Sequence, residues 1–312
     1  MNYFAYKNNE LFCEDINLQE IAQKFGTPSY IYSKKTIESN IDVYKNAFKK
    51  KDNLICFSVK SLSNISILNI LREKGCGFDI VSGGELQRAL YVKTNPKKIV
   101  FSGVGKSNYE ILEGINNEIL SFNIESESEL TRIEKVASEN NKIVDVAIRF
   151  NPEVDSGGHE YIKTGRKGDK FGISSNKLVL KLSEYIYNSD NLRLIGLACH
   201  IGSQIADLES YKSTAINIKK LAEDIDKTGN ELKFLDLGGG LGIPYKDDKT
   251  PSPEELVSII EGELKDRKEK IILEPGRSIT GNAGVLLTKV EYVKDNFLIV
   301  DAAMNDLIRP AL

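Results

Sequence analysis

Histidine is almost absent: the 312-residue chain holds only His159 and His200. Two imidazoles on distant stretches argue against a His-rich metal site, and no metal is expected. Cysteine is scarce too. Cys13, Cys56, Cys76 and Cys199 form no Cys-x-x-Cys pair, which weakens zinc and thioredoxin-like readings. Cys56 and Cys199 lie in apolar runs and read as buried thiols. Neither charge prevails, with 42 Lys and Arg against 45 Asp and Glu and a net charge of −3, so nothing electrostatic points to nucleic acid. No apolar run approaches the ~20 residues of a membrane span. The N-terminus lacks the basic-then-apolar order of a signal peptide. These absences leave a soluble, cytoplasmic protein without membrane contact as the expectation. Hydrophobic residues at 41% and charged residues at 28% suit a globular chain long enough to bury a core without disulfides.

What is present is a repeating pattern. Short β-branched or apolar runs occur at 54–59, 77–81, 98–101, 119–124, 143–150, 192–199, 234–237 and 270–273, each followed by a helical stretch. Ser126 and Glu129 have capping-box spacing, as do Ser252 and Glu255, the latter with Pro253 at the first helical position. Leu130, Ile133 and Ala137 then share one face, and so do Leu256, Ile260 and Leu264. Strands alternating with helices imply parallel pairing through right-handed crossovers. Eight units in roughly 220 residues fit an α/β fold of the (β/α)8 TIM-barrel type. A doubly wound sheet is the alternative, but its glycine-rich turn follows the first strand, and here the densest glycine cluster follows the seventh. Beyond residue 284 the texture becomes strand-like without helices. The expected division is a barrel over 28–280, with 1–27 and 281–312 belonging to a β-domain truncated at the C-terminus.

In such barrels the chemistry sits at the C-terminal strand ends. Lys60 ends the first strand and is either a Schiff-base lysine or a surface lysine. His200 ends the sixth; a flat imidazole there stacks on a cofactor, moves a proton or is a hydrogen-bonded core histidine. Gly238, Gly239 and Gly240 follow the seventh, where bare backbone N–H groups make a phosphate nest or a plain flexible turn. Glu274-Pro275-Gly276-Arg277 closes the eighth. Arg277 there can grip a carboxylate, and Glu274 can face a pyridine nitrogen or pair with the arginine. A lysine, a phosphate site and a ring-nitrogen acid together describe pyridoxal phosphate (PLP).

At this point the chain resembles the diaminopimelate decarboxylase family, within the alanine-racemase-like (fold type III) PLP enzymes. The matching stretches include Phe57-Ser58-Val59-Lys60, Phe78 to Glu85, Phe101 to Lys106, Lys170-Phe171-Gly172-Ile173, Cys199 to Gln204, Gly238 to Gly242, Glu274 to Arg277 and Asp301 to Leu312. The resemblance implies that Lys60 carries PLP, that His200 stacks on its ring and that Glu274 pairs with the ring nitrogen. It places Ser203, Gly238, Gly239, Gly240, Gly276 and Arg277 at the phosphate and counts Asp79 and Pro275 among the cofactor-binding residues. Arg277 and Arg309 would take the substrate's distal carboxylate, with Lys60 and His200 the catalytic pair. The implied reaction is decarboxylation of meso-2,6-diaminopimelate to L-lysine, in a homodimer with shared active sites. Relatives acting on ornithine, arginine or carboxynorspermidine remain the alternative, with a non-catalytic PLP-binding protein beside them.

Two departures accompany the resemblance. The family has Ala and Asn soon after its lysine, whereas here the run is Lys60-Ser61-Leu62-Ser63-Asn64. The family's Cys-Glu-Ser motif and later tyrosines do not occur, and no cysteine lies beyond Cys199. In the family that cysteine is the candidate proton donor, lent by the partner subunit. The expectation is a fragment or a truncated or degraded gene product that binds PLP and turns over poorly or not at all.

Overall fold

The computed structural model describes residues 3–49, 52–154, 170–245 and 249–308. Its contacts fall into two units, one of Ile41–Ser278 and one of Met1–Asn40 with Ile279–Leu312. In the latter, β1 (Phe4–Lys7), β2 (Glu10–Cys13) and β3 (Ile16–Asn17) form an antiparallel sheet, and β4 (Ser29–Tyr32) follows the helix Leu18–Phe25.

The larger unit is an eight-stranded barrel. Its strands are β5 (Leu54–Ser58), β6 (Gly77–Ile80), β7 (Ile99–Phe101), β8 (Ser121–Ile124), β9 (Val144–Arg149), β10 (Leu192–Ala198), β11 (Phe234–Asp236) and β12 (Lys270–Leu273). Each pairs in parallel with the next, and β12 closes on β5 through Ile272 opposite Leu54 and Leu273 opposite Ile55. All eight expected apolar runs are strands. They are buried along nearly their whole length, because helices cover one side and the barrel interior fills the other. Inside, Cys56, Val100, Ala147, Ile195, Phe234 and Ile272 pack as one cluster.

The remaining strands, β13 (Gly284–Leu287), β14 (Val290–Lys294) and β15 (Phe297–Val300), belong to the smaller unit. There β13 pairs antiparallel with β4, and β14 with β15.

The helices begin where side chains satisfy their free N–H groups. Asn64 accepts from the Ser66 and Ile67 amides at the head of Ile65–Glu73, whose Ile67, Leu68 and Leu71 are buried. Ser252 and Glu255 form the complete reciprocal capping box ahead of Leu256, Val257 and Ile260. The corresponding expectation for Ser126 and Glu129 holds only in half. Ser126 accepts from the Glu129 amide at 3.2 Å, but the Glu129 carboxylate turns away from it. That carboxylate takes the Lys106 ammonium at 2.8 Å and the Glu125 amide at 2.7 Å. A buried cation offers a stronger bond than an N-cap amide, so it wins the carboxylate. Among the described residues no helix is long and apolar enough to cross a membrane.

Candidate active site

The C-terminal rim of the barrel gathers a cluster of polar and charged residues. Ser58 and Asp79 are register partners across β5 and β6, so their side chains lie side by side. Lys60 stands two residues past Ser58, lifted on a single 3-10 turn spanning Val59–Ser61. Its Nζ meets Asp79 Oδ2 at 2.6 Å, and the Ser58 hydroxyl donates to the same oxygen at 2.9 Å. Asp79 is fully buried while the Lys60 side chain is 47% exposed, so the ammonium is anchored below and open above. Burial opposes the charge of Lys60, but Asp79 and Glu274 outweigh it and hold the ammonium above its ordinary range. Burial likewise opposes ionisation of Asp79, yet Lys60 and the Ser58 hydroxyl keep that carboxylate below its usual value.

Across the rim, Asp236 ends β11 and Glu274 follows β12. Asp236 is in register with Ile272, so Glu274, two residues on, projects from the same face. Both carboxyls are buried. Burial drives Asp236 up to about 7, and burial together with Asp236 and Asp79 drives Glu274 well above the carboxylate range.

The glycine loop is not the bare nest expected from its sequence. Gly238 N–H donates to Asp236 Oδ1 at 2.8 Å, and Gly239 N–H donates to His200 Nδ1 at 3.1 Å. Positive φ at Gly238 (68°) and Gly240 (98°) curls the loop so that these donors turn into the protein. A Cβ on Gly239 would lie 2.0 Å from the Glu274 carbonyl oxygen, so the close approach of the two rim loops requires glycine there.

The same hydrogen bond sets the state of His200. Its Nδ1 is an acceptor, so the neutral ring carries its proton on Nε2. Burial, with Arg149 and Lys60 nearby, lowers its pKa to about 3. His200 is therefore a flat neutral surface at neutral pH.

Arg277 donates from Nη1 to the Tyr245 hydroxyl at 2.6 Å and from Nε to Ser203 Oγ at 3.4 Å. Among the described residues no ion pair joins Arg277 to Glu274. At the ends of β9 and β8, Arg149 pairs with Glu125 at 2.7 Å. Lys106 spends its ammonium on Glu129 and on the Gly103 and Asn123 carbonyls.

Lys60, Asp79, His200, Ser203, Gly238, Gly239, Gly240, Glu274, Pro275, Gly276 and Arg277 thus all occupy one rim. Arg309 lies outside the described residues. Three residues escaped the sequence reading. Asp236 was visible as an acid ending a strand, whereas Arg149 and Tyr245 carried no local signal.

The residues present fit PLP. Asp79 Oδ1, Asp236 Oδ2 and Glu274 Oε1 are buried acceptors without a donor, which suits a group that brings its own ring N–H. Lys60 provides an amine at the mouth, and Ser203 and Arg277 provide donors on the loops where this fold binds phosphate.

Comparison with known proteins agrees. Residues 34–281 match the family model described as "Pyridoxal-dependent decarboxylase, pyridoxal binding domain". Over 100% of its length the chain is 46% identical to a diaminopimelate decarboxylase of Haemophilus influenzae, covering 76% of that protein.

The chain belongs to the diaminopimelate decarboxylase family of pyridoxal-dependent decarboxylases.

A family member from Aquifex aeolicus is 45% identical over 99% of the chain and 74% of its own length. The crystal structure of diaminopimelate decarboxylase from Helicobacter pylori complexed with L-lysine superposes with a TM-score of 0.91. It is 40% identical, with 95% of this chain and 75% of that chain covered. The chain therefore spans about three quarters of the length of these decarboxylases.

Proposed function

We propose that this chain is a PLP-dependent carboxy-lyase that converts meso-2,6-diaminopimelate to L-lysine and CO2. The observation that carries the reading is the placement of Lys60, held by Asp79 at 2.6 Å, on the same rim as the buried Glu274. The 46% identity to a diaminopimelate decarboxylase supports the substrate.

Lys60 would hold the cofactor through Nζ, and Asp79 orients that amine and favours its charged form. The buried Glu274 would pair with the ring nitrogen. His200, kept in its Nε2–H tautomer by the Gly239 amide, would offer a neutral face to the ring. Ser203, Gly240, Gly276 and Arg277 take the phosphate, with Gly238, Gly239 and Pro275 shaping the loops that carry them. Arg277 and Arg309 receive the distal carboxylate, for which the planar guanidinium is suited. Bound PLP supplies the electron sink that accepts the pair left when CO2 departs. The further elements of this reading are a cytoplasmic homodimer with shared active sites, a barrel over 28–280, and a β-domain formed from 1–27 and 281–312.

The test is substrate preference, read as CO2 and amino-acid product after adding PLP. Meso-diaminopimelate, ornithine, arginine and carboxynorspermidine are compared side by side. L-Lysine from meso-diaminopimelate as the dominant product is expected. A dominant product from another of the four would overturn the assignment.

A further inference from the structure

Gln204 lies in the left-handed backbone region, with a φ of 58° that residues bearing a Cβ seldom adopt. Its carboxamide Nε2 donates to the Ile243 carbonyl at 2.6 Å, and its Oε1 accepts from the Ile243 amide at 3.2 Å. One side chain thus pairs with both backbone groups of a single residue. The backbone continues the pairing. Ile205 N–H donates to the Gly240 carbonyl and Gly242 N–H to the Ile205 carbonyl, both at 2.9 Å. The loops after β10 and β11 are therefore locked together over 204–205 and 240–243.

Both locked loops reach Arg277. Ser203, beside Gln204, accepts from Nε at 3.4 Å. Tyr245 accepts from Nη1 at 2.6 Å. Pro244, with its fixed φ, links the clamped Ile243 to Tyr245. Both acceptors are neutral hydroxyls. A carboxylate in either place would fix the guanidinium equally well but would also neutralise it. Among the described residues Arg277 forms no ion pair, and its Nη2 has no acceptor. The cation is held in place while its charge is left for an anionic ligand.

We propose that Tyr245 is a positioning residue that fixes the Arg277 guanidinium for an anionic oxygen group, and that Gln204 acts through it by holding Ile243. That group is the PLP phosphate or the substrate's distal carboxylate; both offer oxygens that match the N–H fork of an arginine. The proposal deepens, and rests on, the PLP reading given above. Neither Tyr245 nor Gln204 needs to touch the ligand.

The test compares ligands that differ by one anionic group, on the full chain. Affinity is read from the absorbance of the adduct and confirmed by borohydride trapping on Lys60. PLP is set against pyridoxal, which lacks the phosphate. With PLP bound, L-lysine is set against 1,5-diaminopentane, which lacks the carboxylate. Tyr245→Phe removes only a hydroxyl on a residue that is 50% exposed. Gln204→Met keeps the length of the side chain but makes neither bond to Ile243. Each variant should weaken at least one anionic ligand about tenfold and leave its partner without that group unchanged. A loss confined to PLP assigns Arg277 to the phosphate, and one confined to L-lysine assigns it to the carboxylate. Equal loss for both members of a pair would reveal a merely structural role and overturn the proposal, as would unchanged affinities in Tyr245→Phe. A loss in Tyr245→Phe with none in Gln204→Met would overturn the part given to Gln204. No adduct on Lys60 in the unsubstituted chain would overturn the PLP reading and the proposal with it.

Discussion

Asp79 is the only acid within ion-pairing distance of Lys60 among the described residues, so Asp79→Asn isolates its contribution. Asparagine keeps the volume and can still accept from the Ser58 hydroxyl. At 2.6 Å, two unit charges attract by about 1.6 kcal/mol in bulk water and about 6 kcal/mol at the effective dielectric of a protein surface. The Lys60 side chain is 47% exposed, and solvent screening pulls the figure toward the lower bound. A working value of about 2 kcal/mol corresponds to about 1.5 pKa units. With Asp79 neutral, burial opposes the ammonium and only the more distant Glu274 favours it, so the Lys60 pKa falls. The assay is the initial rate of PLP adduct formation, trapped with borohydride and measured across pH. The midpoint should move down by about 1.5 pH units. An unmoved or raised midpoint would refute the claim that Asp79 holds the charge on Lys60.

Four further outcomes follow from the geometry. The raised pKa values of Asp236 and Glu274 mean that the folded chain binds more protons than the unfolded one between the ordinary carboxyl range and about pH 7 or above. Cofactor-free protein should therefore lose stability as pH rises through this window, by up to about 1.4 kcal/mol per pH unit for each proton, and Asp236→Asn should flatten the slope in denaturant titrations. Glu129→Gln leaves the Lys106 ammonium, 1% exposed, with two carbonyls but no counter-charge. Breaking a buried pair costs about 3 kcal/mol at the low end, readable in the unfolding midpoint. Gly239→Ala drives a Cβ against the Glu274 carbonyl and should cost at least about 2–3 kcal/mol. Gly262→Ala, in the helix Pro253–Glu263 with open space around it, should stabilise by about 0.5–1 kcal/mol.

The barrel was legible because strands buried on both faces are written as apolar runs, and β5 through β12 all carry that signature. Lys60, His200 and Glu274 were legible for a related reason: each is a reactive residue at the end of such a run. What escaped depended on partners distant in sequence. Asp236 gains its meaning from the register of β11 against β12, which brings Glu274 to the same face. Tyr245 matters only because its loop returns to Arg277. The glycine run announced conformational freedom, but two of its donors turned inward to Asp236 and His200. Glu129 shows the same limit, since its spacing from Ser126 was right while a lysine from another loop claimed its carboxylate.

The role of Lys60 is tested most directly by adding PLP to the purified chain, reducing with borohydride and mapping the labelled peptide. The expected result is an absorbance band lost on reduction and a single label on Lys60. A label distributed over other lysines, or the same label in Lys60→Ala, would contradict it.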